Sequence, residues 1–431
     1  MNRKNPTPII FLILILALAP GSLPKANAQE INYLLYGDMI YSDNIGTVLF
    51  HPSGNQLAAP RILHNSNDKL TLRFDDFQAD FKNYHYTIIH CDASWEPSRI
   101  QKFEYIDGFQ HDIIRNYSRS INTVVPYTHY WIEFPTADMK PRISGNYILK
   151  VYLNGNPDDL VFTRRFMVFE QNVAITGTAR QSMLPRFSNT HQQVSFTVNL
   201  GRYQISNPER EMKVVVTQNG RWDNAKRNVK PRMVLGTEMA FDHEHELLFE
   251  GGNVFRRFDI RSLRSGSEFV QDIIYDSRLW EVILRDDVNR STQGYVLADH
   301  INGRFLISNF DFANEHLEGD YAYVYFSLPA PVPFSGASVH IIGALTDWAL
   351  TEFNMLTYNS RENKYQIGLF LKQGYYNYQY AVLTEGSTQA SVEPVEGNHS
   401  VARNEYNIYI YHRRPGEFYD RLVGVRQLTT P

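Results

Sequence analysis

The chain of 431 residues contains a single cysteine, Cys91, so it cannot form an internal disulfide. Small secreted domains without a sufficient core usually depend on several disulfides, and the sequence is therefore excluded from that class. Hydrophobic residues make up 43% of the chain, which is enough to build cores without cross-links. Cys91 follows a strand-like segment, so we expect it to fill a small buried apolar position and not to act as a reactive thiol.

Long apolar runs are missing after the first 28 residues. Arg3 and Lys4 precede the apolar segment Pro8–Ala19, which is too short for a comfortable transmembrane helix. Ala26-Asn27-Ala28 matches a small-x-small cleavage site, so residues 1–28 are predicted to be a signal peptide and the mature chain to begin at Gln29. The alternative is an uncleaved anchor. No cysteine follows the cleavage site within reach of lipidation, and no direct membrane span is expected in the mature chain.

Basic charge is also not in excess. The formal net charge is −4, so the chain lacks the positive surplus that drives binding to phosphate backbones, and nucleic acid is not an expected partner. The sequence has no G-x-S-x-G nucleophile turn, no G-x-x-x-x-G-K-[ST] phosphate loop and no G-x-G-x-x-G dinucleotide loop. We therefore predict that the protein is not an enzyme and that it needs no cofactor.

Long amphipathic helical stretches are missing, whereas short segments with a period near two are frequent. They are rich in Val, Ile, Thr, Phe and Tyr, which is the pattern of half-buried strands, and Asn and Gly pairs separate them. This organisation predicts an all-β protein of tandem, immunoglobulin-like β-sandwiches. The clearest predicted strands are Leu70–Phe74, Tyr84–His90, Tyr147–Leu153, Phe162–Phe169, Val194–Leu200, Lys213–Thr217, Tyr321–Ser327, Lys364–Leu371 and Asn407–Tyr411.

A mature chain of about 400 residues is too long for a single core. We place boundaries where blocks of strands end in polar connections. The expected division is an N-terminal β-sandwich over residues 29–169, a middle β domain over 170–312 and a C-terminal sandwich over 313–431.

Two sets of side chains are candidate metal ligands: His85 and His90 with Asp92, and His243 with His245. His85 and His90 are five residues apart, so on a strand they point to opposite faces and do not easily share an ion. His243 and His245, in the segment Asp-His-Glu-His-Glu, would share one strand face, a spacing that zinc sites use. No third ligand can be named, and a solvated charged strand is the preferred interpretation. No metal site is therefore predicted.

Paired acids occur at Asp75/Asp76, Asp158/Asp159 and Asp286/Asp287. We expect them in turns, where an aspartate side chain accepts hydrogen bonds from nearby backbone groups. A glycosidase would need one acid with a raised pKa in an apolar cleft, and the sequence contains no sign of such a cleft.

The segments Gly343–Trp348 and Leu369–Tyr380 together resemble the early-set immunoglobulin-like module found beside glycogen and starch enzymes. In that pattern Gly374 permits a tight hairpin turn, and Tyr376, Tyr378 and Tyr380 share one strand face. The resemblance leaves two interpretations open for Trp348 and the tyrosine face: packing within the sandwich, or stacking against a sugar ring.

A second resemblance covers most of the mature chain. The sequence is similar to the type IX secretion system plug protein family, in particular to its N-terminal domain. The residues that carry the similarity in the first segment are Leu72–Asp76, Tyr84–Tyr86, His90–Ser98, Glu104–Phe109, Asn122-Thr123, Tyr127–Tyr130, Ser144–Tyr147 and Phe162–Val168, and further on Gly251–Asn253 and Phe255–Asp259.

This resemblance implies a non-enzymatic protein that is exported to the periplasm and binds the periplasmic mouth of the giant outer-membrane β-barrel translocon. Such a cap would need a large interface with aromatic anchors. Trp95 and Phe109, both in loop-like segments, are the candidate partner-binding residues, with local loop packing as the other interpretation. The runner-up function is a carbohydrate-binding periplasmic or surface protein, and a zinc enzyme using His243 and His245 is a weaker third.

Overall fold

Strands make up 45% and helices 5% of the computed structural model, which confirms the all-β prediction. The structure describes residues 34–431, and Leu35–Pro431 form one unit. The predicted signal peptide, residues 1–28, lies outside the described residues. The described strands form three pairs of packed sheets, which we call the first, second and third sandwich.

The first sandwich contains two main sheets. One has the order β1-β12-β11-β5-β7, with β3 parallel to β12, and the other has the order β2-β4-β9-β8, while β6 and β10 form a separate ribbon. Aromatic rings fill the space between the sheets; Phe74 of β4, for example, stacks on Tyr130 of β9 with ring centroids 5.2 Å apart. The strands are β1 (Met39–Ile40), β2 (Ile45–Pro52), β3 (Arg61–Leu63), β4 (Leu70–Asp76), β5 (Tyr84–Cys91), β6 (Ile106–Gly108), β7 (Asp112–Ile113), β8 (Asn116–Arg119), β9 (Thr128–Phe134), β10 (Met139–Pro141), β11 (Gly145–Leu153) and β12 (Leu160–Phe169).

The second sandwich joins two distant parts of the chain. Its sheets have the orders β13-β14-β18-β17, with β19 beside β14, and β16-β15-β29-β30. The alternating valines of β15 and the alternating isoleucines of β29 point into its core. The strands are β13 (Ala174–Gln181), β14 (His191–Asn199), β15 (Met212–Gln218), β16 (Lys226–Arg227), β17 (Met233–Leu235), β18 (Glu238–Phe241), β19 (Leu248–Glu250), β29 (Glu405–His412) and β30 (Arg421–Thr429).

The third sandwich lies between β19 and β29 in the sequence. One sheet has the order β20-β28-β23, with β25 also pairing with β28, and the other has the order β21-β22-β24-β27-β26. The strands are β20 (Arg256–Asp259), β21 (Val270–Tyr275), β22 (Trp280–Leu284), β23 (Phe305–Ile307), β24 (Tyr321–Pro329), β25 (Ala337–Ile342), β26 (Thr357–Asn359), β27 (Lys364–Lys372) and β28 (Gly374–Thr384).

The helices are single turns. They are α1 (Lys102–Tyr105), α2 (Pro208–Glu211) and α3 (Glu393–Glu396), with 3₁₀ turns at Ala344–Thr346 and Glu352–Asn354.

The sheets do not follow the expected division at residue 312. Strand β15 pairs with β29, from Met212 opposite His412 to Gln218 opposite Tyr406, and β20 pairs with β28. Residues 170–312 therefore contribute to two different sandwiches, and residues 313–431 do the same. The linear division fails here because a strand pattern shows which residues face a core but not which strand lies beside it.

The expected hairpin at Gly374 is also wrong. Strand β27 pairs with β24 and β26, whereas β28 pairs with β20, β23 and β25, so the chain passes between opposite sheets at Gln373 and Gly374. A β-carbon at Gly374 would lie 2.6 Å from the carbonyl oxygen of Leu306. Glycine is needed at this position because the neighbouring strand approaches closely.

Candidate functional site

The segment His90–Pro97, which carries part of the family resemblance, lies between the first and second sandwiches. Cys91 and Trp95 belong to a buried apolar cluster that also includes Tyr411 and Leu422 of the second sandwich. Trp95 is 2% exposed, the Arg165 guanidinium lies 4.5 Å from its ring centroid, and the Trp222 ring meets it edge-on at 5.1 Å. Burial raises the pKa of the Cys91 thiol. Cys91 therefore has the buried apolar role expected from the sequence.

A buried carboxylate connects this segment to the second sandwich. The Asp420 side chain accepts hydrogen bonds from the backbone N–H of Ala93 at 2.9 Å, from Lys213 at 2.9 Å and from Arg413 at 2.6 Å. Burial alone would raise the pKa of Asp420, but the hydrogen bonds from Arg413 and from the Ala93 N–H hold it below its ordinary value. The motif loop is therefore fixed to the second sandwich by charge-assisted hydrogen bonds.

A second polar set holds the base of the same loop. The His90 ring donates from Nε2 to the backbone oxygen of Ser144 at 3.2 Å and accepts at Nδ1 from the Ser98 hydroxyl at 2.8 Å. Burial lowers the pKa of His90 to about 4, so the ring is neutral at pH 7. Gly145 has a φ of +146°, and a β-carbon there would lie 2.3 Å from His90 Nε2. Glycine is therefore required beside the histidine.

The first and third sandwiches meet at a buried ion pair. The Asp75 carboxylate of β4 accepts hydrogen bonds from Lys372 of β27 at 2.7 Å, from His129 of β9 at 2.6 Å and from the Tyr321 hydroxyl of β24 at 2.6 Å. The side chains of Asp75 and Lys372 are 1% and 2% exposed. Asp75 was expected in a turn, and this is wrong, because it lies in a strand and its side chain points into the junction.

The surroundings favour the ionised form of the Asp75 carboxyl and the neutral form of the two nearby histidines. Burial alone would raise the pKa of Asp75, but the Lys372 ammonium and the hydrogen bond from His129 hold it below its ordinary value. Burial lowers the pKa of Lys372, and the Asp75 carboxylate partly offsets this effect. Burial likewise lowers the pKa of His129, and His316, stacked on it at 5.3 Å, has its pKa lowered to about 3. The residue types would suit acid–base chemistry, but the ion pair is too buried for a substrate to reach.

A loop of the first sandwich extends the same junction. The backbone N–H groups of Val124 and Val125 donate to the Asp320 carboxylate at 2.8 and 3.1 Å. The Tyr127 hydroxyl donates to the backbone oxygen of Gly319 at 2.8 Å. The third sandwich is therefore held to the first by backbone as well as side-chain contacts.

The sequence did not single out Lys372, Tyr321 or Asp420 as important residues. Lys372 ends an apolar run, Leu369–Leu371, and a lone lysine at the end of such a strand is the signal that could have drawn attention to it. Its partner is 297 residues away, and no sequence pattern predicts that contact.

The two proposed histidine ligands do not lie on a strand. His243 and His245 are in the turn between β18 and β19, and the His243 Nε2 donates to the backbone oxygen of Lys230 at 2.7 Å. The prediction of a strand at His243 and His245 is therefore wrong. Among residues 34–431, no group of three or more His, Cys, Asp or Glu side chains is placed to hold a metal ion.

The possible sugar-stacking face is buried. Tyr376, Tyr378 and Tyr380 are at most 3% exposed and lie in the core of the third sandwich. The hydroxyl groups of Tyr378 and Tyr380 donate to the Asp287 carboxylate at 2.7 and 2.8 Å. Trp348 is half-buried. Its ring centroid lies 6.0 Å from the ring centroid of Phe255 and 5.1 Å from the Arg221 guanidinium. The tyrosines pack the sandwich, as the first of the two interpretations expected.

The two candidate partner-binding residues differ in accessibility. Trp95 is buried between sandwiches and has no surface to offer a partner in this structure. Phe109 is 65% exposed and follows the β6–β10 ribbon, where its N–H donates to the backbone oxygen of Asp138 at 2.7 Å. Gly108 has a φ of +96°, and a β-carbon there would lie 2.2 Å from that same oxygen. The ribbon therefore holds Phe109 in a defined, solvent-facing position.

Comparisons with known proteins match the part of the chain that contains the motif loop His90–Pro97 and Phe109. The family model for the type 9 secretion system plug protein 1st domain matches residues 45–170. A crystal structure of a hypothetical protein from Parabacteroides merdae ATCC 43184 is 31% identical, covers 92% of this chain and 100% of that chain, and has a TM-score of 0.89. No curated protein matches the chain. The chain therefore belongs to the same family as the Parabacteroides merdae protein, and its residues 45–170 match the type 9 secretion system plug protein first domain.

Proposed function

We propose that this protein is a non-enzymatic, periplasmic component of the type IX secretion system that closes the periplasmic mouth of the giant outer-membrane β-barrel translocon. The observation that carries the proposal is the match of residues 45–170 to the plug protein first domain. A barrel of that width encloses a water-filled channel when it is empty. A folded protein seated in the mouth would prevent leakage of solutes.

The connections between the sandwiches support this role. A plug that must resist solute flow should not change shape easily, and domains joined by flexible linkers move relative to each other by default. Here the Asp75–Lys372 pair connects the first and third sandwiches, and Asp420 connects the first and second. Strand β15 with β29 joins two distant parts of the chain. The three sandwiches are therefore expected to act as one body.

The location is part of the proposal. Within residues 34–431, no helix has the length and apolar character needed to cross a membrane. A cleaved leader over residues 1–28 would deliver the chain to the periplasm. There it would bind the translocon through its surface.

Phe109 is the proposed anchor that remains accessible. A specific interface buries about 1,200–2,000 Å² in total, and a few central aromatic residues usually contribute most of the affinity. An exposed phenylalanine on a ribbon with fixed geometry is suited to such a contact. Trp95 would act indirectly, by holding the motif loop between the first and second sandwiches.

Deletion of the gene tests the proposal. We expect the deletion strain to admit large antibiotics that the outer membrane normally excludes, and only when the translocon gene is intact. A strain lacking both genes is the matched control, because without the barrel there is no channel to close. Unchanged antibiotic entry in the single deletion would refute closure of the channel as the function.

Purification gives an independent measurement. Tagged protein, isolated from detergent-solubilised membranes, is expected to bring down one very large barrel protein in a stoichiometric amount. Recovery of a bound soluble glucan without a barrel would instead support the carbohydrate-binding alternative. The burial of the tyrosine face removes the main sequence argument for that alternative.

A further inference from the structure

The outer face of one sheet in the third sandwich carries a band of tyrosines. Tyr321, Tyr323 and Tyr325 of β24 lie on the face opposite to the sandwich core, because the residues between them belong to that core. Tyr321 is buried under the first sandwich, whereas Tyr323 and Tyr325 are 40% and 37% exposed. The first sandwich thus covers one end of the band and leaves the other end open to solvent.

Two rows of side chains cross the sheet at the open end of the band. Residues that lie opposite each other on neighbouring strands share one face of a sheet. The rows, which we call the outer patch, are Ile274, Glu281, Tyr323 and Phe370, and beside them Asp272, Ile283, Tyr325 and Gly368. A β-carbon at Gly368 would lie 2.9 Å from a ring carbon of Tyr325, so this ring lies against bare backbone. The patch is therefore shallow and mainly apolar.

The buried end of the band shows how this face is covered within the molecule. Phe77 of the first sandwich packs against Tyr321 and Phe370, with ring centroids 4.7 and 5.4 Å apart. The Lys372 ammonium lies 5.6 Å from the Tyr321 ring centroid. Phe370 also contacts Tyr323, with centroids 5.0 Å apart. The outer patch therefore continues an existing interface in which an aromatic ring and a cation lie against the tyrosines.

The charge of the outer patch is negative. Asp272 and Glu281 are the two charged residues among its eight, and their hydrogen-bond donors are neutral: the next backbone N–H at 2.9 Å and the Tyr325 hydroxyl at 3.2 Å. Arg278 and Arg285 lie beyond the two ends of β22. Tyrosine rings attract a guanidinium to their faces, and a carboxylate beside the rings adds a charge partner. The patch therefore complements an arginine side chain.

The same features decide between occupants. A second copy bound through this patch would bring the carboxylates of the two copies together, and the phosphates of a nucleic acid or lipid would also be repelled. The exposed side chains, Ile274, Tyr323 and Tyr325, are at most two-fifths exposed and offer far less than the roughly 800 Å² per partner of a standard interface. The patch therefore suits a short basic segment and not the face of a domain.

We propose that the outer patch binds a short segment of a partner protein in which an arginine lies beside an aromatic residue. The guanidinium would lie over the Tyr323 and Tyr325 rings next to the Glu281 carboxylate. The aromatic side chain would pack against Ile274, as Phe77 packs against Tyr321 at the covered end. The inference does not depend on closure of the translocon.

Two substitutions test the patch. Tyr323→Ala removes a ring, and Glu281→Gln removes the charge while keeping an acceptor for the Tyr325 hydroxyl. The controls are Tyr117→Ala, at a tyrosine of the first sandwich that is 47% exposed, and Glu352→Gln, at an exposed glutamate outside the patch. The probe is a labelled eight-residue peptide that alternates arginine with phenylalanine, and a second peptide carries neutral citrulline in place of arginine. Fluorescence anisotropy measures binding, and thermal melts check folding.

We expect saturable binding of the arginine peptide to the unmodified protein and to both controls. Tyr323→Ala should weaken it about fivefold, and Glu281→Gln about threefold. The citrulline peptide should bind more weakly and should not respond to Glu281→Gln. The proposal is overturned by a lack of saturable binding up to millimolar arginine peptide, by unaltered binding in Tyr323→Ala, or by equal losses of the two peptides in Glu281→Gln.

Sedimentation velocity tests the competing occupant. We expect the unmodified protein and Tyr323→Ala to sediment alike as monomers at the concentrations of the binding assay. A dimer that forms with increasing concentration and disappears in Tyr323→Ala would show that a second copy covers the patch, and it would overturn the proposal.

Discussion

Replacement of Lys372 by methionine tests how strongly the first and third sandwiches are joined. The change keeps the apolar stem of the side chain but leaves the Asp75 carboxylate buried without its cation. Breaking a buried ion pair in this way typically costs about 3–5 kcal/mol. His129 and the Tyr321 hydroxyl still donate to Asp75. We therefore expect a loss near the lower end, about 3 kcal/mol of unfolding free energy at pH 7.5.

The loss should depend on pH with a definite sign. Without the ammonium, the pKa of Asp75 should rise relative to its wild-type value, because burial raises it and the interaction with His129 is left to oppose this. As pH falls, the folded variant then takes up a proton on Asp75 before the folded wild type does. Its deficit relative to wild type at the same pH should therefore be largest at pH 7.5 and become smaller toward pH 5.

Urea unfolding followed by tryptophan fluorescence measures the effect, and hydrogen exchange of residues 121–127 reports on the junction itself. Lys364→Met is the matched control on the same strand, because Lys364 pairs with exposed Glu362 and should cost less than about 1 kcal/mol. Asp75→Asn combined with Lys372→Met removes both charges and should recover much of the loss. A Lys372→Met variant that unfolds like wild type, or a double variant less stable than the single one, would refute the predicted contribution of the ion pair.

Three further predictions concern other parts of the molecule. Burial lowers the pKa of His90 to about 4 from 6.5, so the unfolded chain binds a proton first as pH falls. This group should therefore reduce the unfolding free energy by about 3 kcal/mol between pH 6.5 and pH 4. His90→Gln should flatten the pH profile of the urea midpoint, and an unchanged profile would contradict the lowered pKa of His90. Gly145→Ala should lower the unfolding free energy by about 2–4 kcal/mol, because a side chain is strained at a positive φ and the added methyl group would clash with His90. Gly294→Ala, at an open position, is the control and should have little effect in the same urea titration. Phe109→Ala should reduce the amount of translocon that co-purifies with the protein, without changing the melting temperature. Phe353→Ala is the control, because Phe353 is 73% exposed, and it should leave the co-purified amount unchanged. Equal amounts from the two variants would show that Phe109 is not an anchor.

The sequence indicated that the loop between the first and second sandwiches is important, but it did not show where that loop lies in the fold. The motif loop His90–Pro97 stood out in the sequence, and the structure shows that it contacts the second sandwich through Ala93 and Asp420. The sequence left Trp95 as a candidate anchor or as a residue packed within its own loop, because a tryptophan in a loop is compatible with exposure and with burial. The burial of Trp95 against the Trp222 ring appears only in the folded structure.

The short-range pattern of the chain determined its strands. Alternation of Val, Ile, Phe and Tyr predicted segments such as Tyr321–Ser327 and Asn407–Tyr411, which form parts of β24 and β29, because side chains on a strand alternate between two faces. The single cysteine and the lack of catalytic motifs were equally fixed by the sequence.

Only the tertiary structure decided which strands are neighbours and which charges are buried. Strand β15 pairs with β29 across almost 200 residues, and Asp75 meets Lys372 across 297. Alternation identifies the face that turns inward but carries no information about the partner that covers it. The contacts that join the sandwiches into one body therefore appear only when the chain is folded.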